Sequence, residues 1–266
     1  MDDILKTIAA DKRQEVKAAR RRLPIDGLRR LAEAVTPGHR SMASAIMAPG
    51  ASGIIAEFKR RSPSKGEIAP MGAVGDVVPG YERAGASACS VLTDTRFFGG
   101  SLADLAVARD SAGIPLLRKD FIVDEYQIYE ARLWGADAIL LIASILTPDM
   151  VAGFTGLAHS LGLEVLLELH SPDETRHVCR EVDMVGVNNR DLSTFRTDLG
   201  CSASMIGALR DIDAVKIAES GIRTPGDIAR LRDAGYNGFL VGEAFMKTAD
   251  PAYELLRFTT GYGTER

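Results

Sequence analysis

Five short apolar runs in this chain end on side chains suited to proton transfer or anion binding, where a core strand would simply stop. They are Ile54-Ile55-Ala56-Glu57-Phe58-Lys59, Leu116-Leu117-Arg118-Lys119, Glu164-Val165-Leu166-Leu167-Glu168, Val185-Gly186-Val187-Asn188-Asn189-Arg190 and Val215-Lys216-Ile217-Ala218-Glu219-Ser220. If the runs are parallel strands of one closed sheet, their tips gather into one pocket at its carboxyl end, where catalytic groups of a barrel come from several strands. Charged residues are seldom buried unless paired, so Glu57, Lys59, Lys119, Glu168, Glu219 and Arg190 could also form a structural ion-pair network. Their shared position at one end of the repeating units argues for chemistry, because Val, Ile or Leu would close the same barrel with less desolvation.

Side chains alternate across a strand, so Glu57 and Lys59 share a face, as do Asn188 and Arg190, and in a barrel that face points inward. The same parity places Ile55, Leu117, Leu166 and Ile217 in the interior below the tips, turns Phe58 and Leu167 toward the helices, and makes Lys216 an outward or strand-edge lysine. After the first run, Lys59, Ser62 and Ser64, with nearby backbone N–H groups, could hold a small anion such as a carboxylate. A solvated loop is the plainer reading of that segment. Glu219-Ser220-Gly221-Ile222 and Val241-Gly242-Glu243-Ala244 fall after the seventh and eighth of the eight strands set out below, whose loops commonly bind phosphate through glycine N–H groups and a short helix N-terminus. Of the histidines, His39, His159 and His177 read as surface or packing residues, while His170, just past Glu168, could approach the pocket; their spacing makes no metal site. Crowding Lys59 and Lys119 into one mouth suggests a lowered lysine pKa and hence a proton donor near neutral pH.

The elements that must position these groups recur along the chain. Residues 1 to about 48 show helical periodicity through Ile4, Leu5, Ile8 and Ala9 and then Leu28, Leu31, Ala32 and Val35, with Pro24 and Pro37-Gly38 as punctuation. Basic residues run from Lys12 to Arg22, and Lys17 to Arg22 read as a solvated helix face. From about Ser52 a strand signal returns roughly every 19 to 34 residues, near Ile54, Ala88, Pro115, Ala138, Val165, Met184, Val215 and Gly238. Helical stretches follow at 76–84, 101–111, 125–134, 148–160, 172–180, 202–209, 224–234 and 251–258. Thr147-Pro148, Ser171-Pro172 and Thr224-Pro225 place a hydroxyl cap before Pro at the first helical position, and Gly85, Gly135 and Gly235 suit left-handed helix ends. Strict alternation implies a parallel sheet and eight units a closed (β/α)8 TIM barrel of the α/β class, read as one domain over 1–266 with an N-terminal helical extension. No GxGxxG follows the first strand to favour an open dinucleotide-binding sheet.

With 46% hydrophobic and 26% charged residues and a net charge of −4, the 266-residue chain can build a sizeable core and is a poor partner for nucleic acid. Cys89, Cys179 and Cys201 are widely spaced and read as small buried hydrophobes rather than a disulfide or zinc framework. The acidic start, with no signal-peptide stretch and no run near the roughly 20 apolar residues of a membrane span, leads us to expect a cytoplasmic protein, monomeric or weakly dimeric.

In order and at barrel spacing, IIAEFKRRSPSKG, SVLTDTRFFGGS, LLRKDFIVDEYQI, LLELH, VGVNNRDL, IAESGI and LVGEAFM closely resemble the indole-3-glycerol phosphate synthase family of tryptophan biosynthesis, a family of carbon–carbon lyases, over nearly the whole chain. The resemblance implies a ring closure without metal or cofactor. Its substrate would be 1-(2-carboxyphenylamino)-1-deoxyribulose 5-phosphate, converted to indole-3-glycerol phosphate, carbon dioxide and water. Carried over by motif, Lys119 resembles the general acid at the ketone oxygen, Lys59 the holder of the substrate carboxylate with Ser62 and Arg190 nearby, and Glu168 the acid/base of the dehydration. Glu57, Asn188 and Glu219 resemble residues that orient these groups and stabilise a cationic intermediate. Ser220, Gly221, Gly242 and the Glu243 backbone match the phosphate loops, and Phe98 and Phe121 match apolar walls for the anthranilate ring. Two other readings fit the residues alone: a Schiff-base aldolase with Lys119 as nucleophile, and a silent barrel that binds a sugar phosphate.

Overall fold

The computed structural model describes residues 4–260 apart from 37, 39, 64, 65, 70, 71 and 192–195, so Pro37, His39 and Ser64, read above, lie outside the described residues. The eight strands of the barrel are β1 (Ile54–Phe58), β2 (Ala88–Leu92), β3 (Leu116–Lys119), β4 (Ala138–Ile142), β5 (Glu164–Leu169), β6 (Met184–Asn188), β7 (Val215–Glu219) and β8 (Gly238–Val241), and Arg61–Ser62 pairs with Gly66–Glu67 in a separate antiparallel ribbon. The barrel strands all pair in parallel with their chain neighbours, and β8 closes on β1 through Ile55↔Leu240, giving the expected barrel.

Alternation along the strands sorts the core into two clusters. Ile55, Leu117, Leu166 and Ile217 fill the barrel interior, while Phe58 and Leu167 pack outside against the helices, as the parity argument required. Each such buried Leu or Ile stabilises by roughly 2 kcal/mol. Lys216 is partly exposed, and its Nζ donates to the Ile212 carbonyl 3.1 Å away, away from the barrel axis.

Thr147 accepts from Met150 N, and Thr224 forms a reciprocal capping box with Asp227. Gly85, Gly135 and Gly235 all have positive φ, so those helix ends formed as read. Ser171 is a correction. Its side chain makes no cap bond, Glu174 N donates to the Ser171 carbonyl at 3.1 Å, and the segment is a 3₁₀ turn over Pro172–His177 rather than a helix to 180. The helix read at 202–209 is Gly200–Met205. Cys89 is buried as expected, whereas Cys179 and Cys201 are only partly so.

Three helices precede the barrel: α1 (Ile4–Arg22), α2 (Ile25–Ala34) and α3 (Met42–Met47). They serve both ends of it. At the lower end, Glu164 accepts from Ser41 Oγ at 2.5 Å and from the N–H groups of Met42 and Ala43 at 2.7 and 3.0 Å, a carboxylate seated on the α3 N-terminus. Glu164 and Glu168 have the same parity on β5, so one strand anchors the floor with its first residue and opens into the mouth with its fifth.

At the upper end, α1 lays Ile4, Leu5 and Ile8 over the mouth. Its Lys12 is not part of a solvated face: it is 1% exposed, with Nζ 3.0 Å from both Asp94 Oδ2 and Asp120 Oδ1. Burial alone would lower its pKa, but Asp120 and Asp94 outweigh burial and raise it. Removing one member of a buried ion cluster strands the others. Lys12→Met is therefore expected to lower unfolding stability by about 3 kcal/mol in urea denaturation; unchanged stability would reduce Lys12 to an ordinary surface lysine.

Candidate active site

One cavity at the carboxyl end of the barrel is lined by Glu57, Lys59, Ser62, Phe98, Lys119, Phe121, Glu168, Asn188, Arg190, Glu219, Ser220, Gly221, Gly242 and Glu243, which brings together the catalytic and substrate-binding residues carried over from the family motifs. The aromatic wall arises locally. After β2, Asp94 accepts from the N–H groups of Phe97 and Phe98 and starts a one-turn helix, Thr95–Phe98, that delivers Phe98 to the mouth. Asp120 Oδ1 accepts from Phe121 N at 2.8 Å. The two rings sit 5.9 Å apart, tilted by 35°.

The floor gathers three glutamates, Glu57, Glu168 and Glu219, around Lys59 and Lys119. Lys119 Nζ lies 3.2 Å from Glu168 Oε2 and 3.5 Å from Glu219 Oε2, while Glu57 and Lys59 form a close pair beside them. Burial pulls the Lys119 pKa down, yet Glu168, Glu219 and Glu57 together hold it above the ordinary lysine value. The expected lowering by Lys59 is thus corrected: the glutamates packed against Lys119, not a second ammonium, decide the direction of its shift. Burial pushes the Glu168 carboxyl up, but Lys119, His170 and Asn188 bring it below the usual range. Asn188 Nδ2 donates to Glu168 Oε1 at 2.9 Å, and Asn188 Oδ1 accepts from Arg190 N at 3.0 Å.

Glu219 has the opposite fate. Burial first and then the Glu168 charge push it up to about 8, against the pull of Lys119. One buried lysine between two carboxylates leaves one ionised and the other protonated. An unfolded glutamate ionises near pH 4.3, so the cost of keeping Glu219 folded accumulates as pH rises from there to about 8 and then levels off. Glu219→Gln is accordingly expected to match the wild type in thermal stability near pH 4 and to exceed it by roughly 5 kcal/mol above pH 8. A difference that does not grow with pH would place the proton elsewhere.

Two glycines make the carboxylate seats. A Cβ at Gly186 would overlap Glu219 Oε1, and one at Gly242 would overlap Glu57 Oε1. Gly242, read as a phosphate-loop residue, therefore has a second reason to lack a side chain. Across the cavity, Ser220 and Gly221 both have positive φ, 65° and 79°, a tight turn directly after β7. Gly242 precedes the short helix Glu243–Met246, and the Glu243 carboxylate lies 3.6 Å from the Arg190 guanidinium. Arg190 thus sits on the side of the cavity formed by the β7 and β8 loops as well as near Asn188.

Several lining residues escaped the sequence reading, among them Ile4, Leu5, Ile8, Leu140, Ile142, Arg223 and Lys247. The apolar stripe of α1 was legible, but its target was not. His170 does not line the cavity, yet its Nε2 lies 3.1 Å from Glu168 Oε1. Among the described residues, no group of three or more His, Cys, Asp and Glu is arranged to hold a metal, and no helix is long and apolar enough to cross a membrane.

A family model described as indole-3-glycerol phosphate synthase matches residues 5–258. A protein of that name from Bacteroides thetaiotaomicron is 50% identical over 97% of this chain and 98% of its own length. Relatives of the same name from Laribacter hongkongensis and an Azoarcus species are 45% and 44% identical, over 96% and 94% of this chain and 98% and 97% of their own lengths. With a family model matching nearly the whole chain and relatives at 44–50% identity, the chain belongs to the indole-3-glycerol phosphate synthase family.

Proposed function

We propose that the protein closes the pyrrole ring of indole-3-glycerol phosphate from 1-(2-carboxyphenylamino)-1-deoxyribulose 5-phosphate, releasing carbon dioxide and water. The observation that carries the assignment of roles is the Lys119 ammonium held between Glu168 and Glu219 on the floor of a cavity with an aromatic wall at Phe98 and Phe121. The ring carbon bearing the carboxylate attacks the ketone carbon, and Lys119 gives its proton to the oxygen as the C–C bond forms. A raised lysine pKa does not forbid this step, since a developing alkoxide is a far stronger base than an amine. Positive charge then resides on the ring and nitrogen, where Glu57 stabilises it, and loss of carbon dioxide returns the electron pair to the ring. In the dehydration Glu168 takes the proton from the neighbouring carbon, and the hydroxyl leaves as water with a proton drawn from solvent.

Lys59, with Ser62, holds the substrate carboxylate. Arg190, Ser220, Gly221, Gly242 and the Glu243 backbone serve the phosphate end, with the Glu243 carboxylate turned to Arg190. A Schiff-base nucleophile must be a neutral amine, and the carboxylates around Lys119 favour the ammonium, which supports proton donation over the aldolase reading. We read the chain as one barrel domain with residues 1 to about 48 as its extension, cytoplasmic, and monomeric or weakly dimeric. The test is to supply the ribulose phosphate and follow indole fluorescence together with released carbon dioxide. Binding without either product would leave a silent sugar-phosphate barrel, and borohydride trapping of substrate on Lys119 would favour the aldolase.

A further inference from the structure

We propose that His170 is a positioning residue for Glu168: an imidazolium locked between two carboxylates, which fixes the Glu168 carboxylate and keeps it ionised. The proposal rests on the reading of Glu168 as the base of the dehydration.

The protonation state follows from the partners. Ser144 Oγ lies 2.6 Å from Glu174 Oε1, to which it donates its one proton. Toward His170 Nδ1, 3.1 Å away, the same oxygen can only accept, so Nδ1 carries hydrogen. The other ring nitrogen, Nε2, is shielded from water and faces Glu168 Oε1 at 3.1 Å. A bare nitrogen lone pair against a carboxylate oxygen would be repulsive, so Nε2 is protonated as well. The contact is an ion pair rather than an aligned hydrogen bond.

The ring is held from three directions. His170 N donates to Glu174 Oε2 at 2.6 Å, and Nδ1 lies 3.7 Å from that same oxygen. Ser144 comes from the turn after β4, Glu174 from the 3₁₀ turn after β5, and Glu168 from β5 itself. Burial would lower the imidazole pKa, but Glu168 and Glu174 outweigh it and raise it to about 10. The charged groups around Glu168 are therefore His170, Lys119, and the carboxylates of Glu219 and Glu57, with Asn188 as a neutral donor. Lys119 is shared with Glu219 and is the group assigned to give up its proton early. His170 is the cation beside Glu168 that keeps its charge when Lys119 loses its own.

In nitrogen-15 NMR of the whole protein, with the His170 signals assigned by their loss in His170→Gln, the ring should remain imidazolium through about pH 8. It should titrate lower in Glu174→Gln. In single turnovers, His170→Gln should form product roughly tenfold more slowly at neutral pH with substrate affinity unchanged. Its rate should fall further below about pH 6, where the wild type stays level, because once Lys119 has given up its proton the carboxyl has no cation left beside it and gains a proton there. A wild-type imidazole titrating near its ordinary pH, or a His170→Gln rate loss equal at every pH, overturns the proposal. Glu168→Gln separates the two ideas: normal turnover in that variant removes Glu168 as the base. The imidazole titration stands or falls without any turnover.

Discussion

Lys119→Ala loses indole formation by roughly three orders of magnitude, the scale of a general acid placed in a pocket that excludes water. The loss should fall on the rate of C–C bond formation rather than on substrate binding, because the carboxylate and phosphate ends of the substrate are assigned to Lys59, Ser62, Arg190 and the β7 and β8 loops. The variant is not neutral for folding. Lys119 Nζ lies 3.2 Å from Glu168 and 3.5 Å from Glu219, both buried. Without the ammonium both folded carboxyls shift upward, so stability is kept at low pH and lost as pH rises through and beyond the ordinary carboxylate range. Activity should therefore be compared near pH 6, with circular dichroism confirming the barrel, and melting temperatures taken up to pH 9. Wild-type turnover in the alanine variant would remove Lys119 from the chemistry, and a melting temperature lowered equally at all pH would remove it from the charge balance.

Much of this arrangement was legible because a barrel interior obeys parity. Every second residue of β1, β3, β5 and β7 points inward, so knowing that Ile55 or Leu166 is core also tells where Glu57 or Glu168 points. Helix starts were legible where a hydroxyl had an N–H to satisfy, as at Thr147 and Thr224. The same three-residue pattern failed at Ser171, where the segment is a 3₁₀ turn and the hydroxyl makes no cap bond.

What stayed hidden were distances between groups far apart in sequence. Lys12 looked like one more basic residue on a helix, and nothing local distinguishes it from Lys17. Its burial depends on Asp94 and Asp120 meeting it across the mouth. The direction of the Lys119 pKa was misread for a related reason. Two lysines and three glutamates were visible at the tips, but the sign depends on which are within 4 Å, and the ammonium neighbours proved to be carboxylates. His170 carried a usable signal, the same parity as Glu168 two residues on, but the strand ends at Leu169, beyond which alternation predicts nothing.

Glu168→Gln is the sharper test of the order of events, because it should split the reaction rather than stop it. The groups that touch Glu168 from outside its strand all bring protons: Lys119 Nζ at 3.2 Å, Asn188 Nδ2 at 2.9 Å and the His170 ring at 3.1 Å. A glutamine presents one accepting oxygen and one NH₂, so its nitrogen must oppose a donor, and the side chain is both a non-base and poorly seated. The first step should survive. With the Glu168 charge gone, its upward push on Glu219 is lost as well, so Glu219 ionises more readily and takes over as counterion to the Lys119 ammonium. Bond formation and decarboxylation then proceed at a rate close to the wild type, while proton removal in the dehydration slows by roughly two to three orders of magnitude. In a single turnover, carbon dioxide should appear promptly and indole fluorescence should lag far behind, with the decarboxylated, still hydroxylated ring accumulating between them. If carbon dioxide and fluorescence instead rise together at one reduced rate, Glu168 acts at or before the first bond, and the second step needs another base.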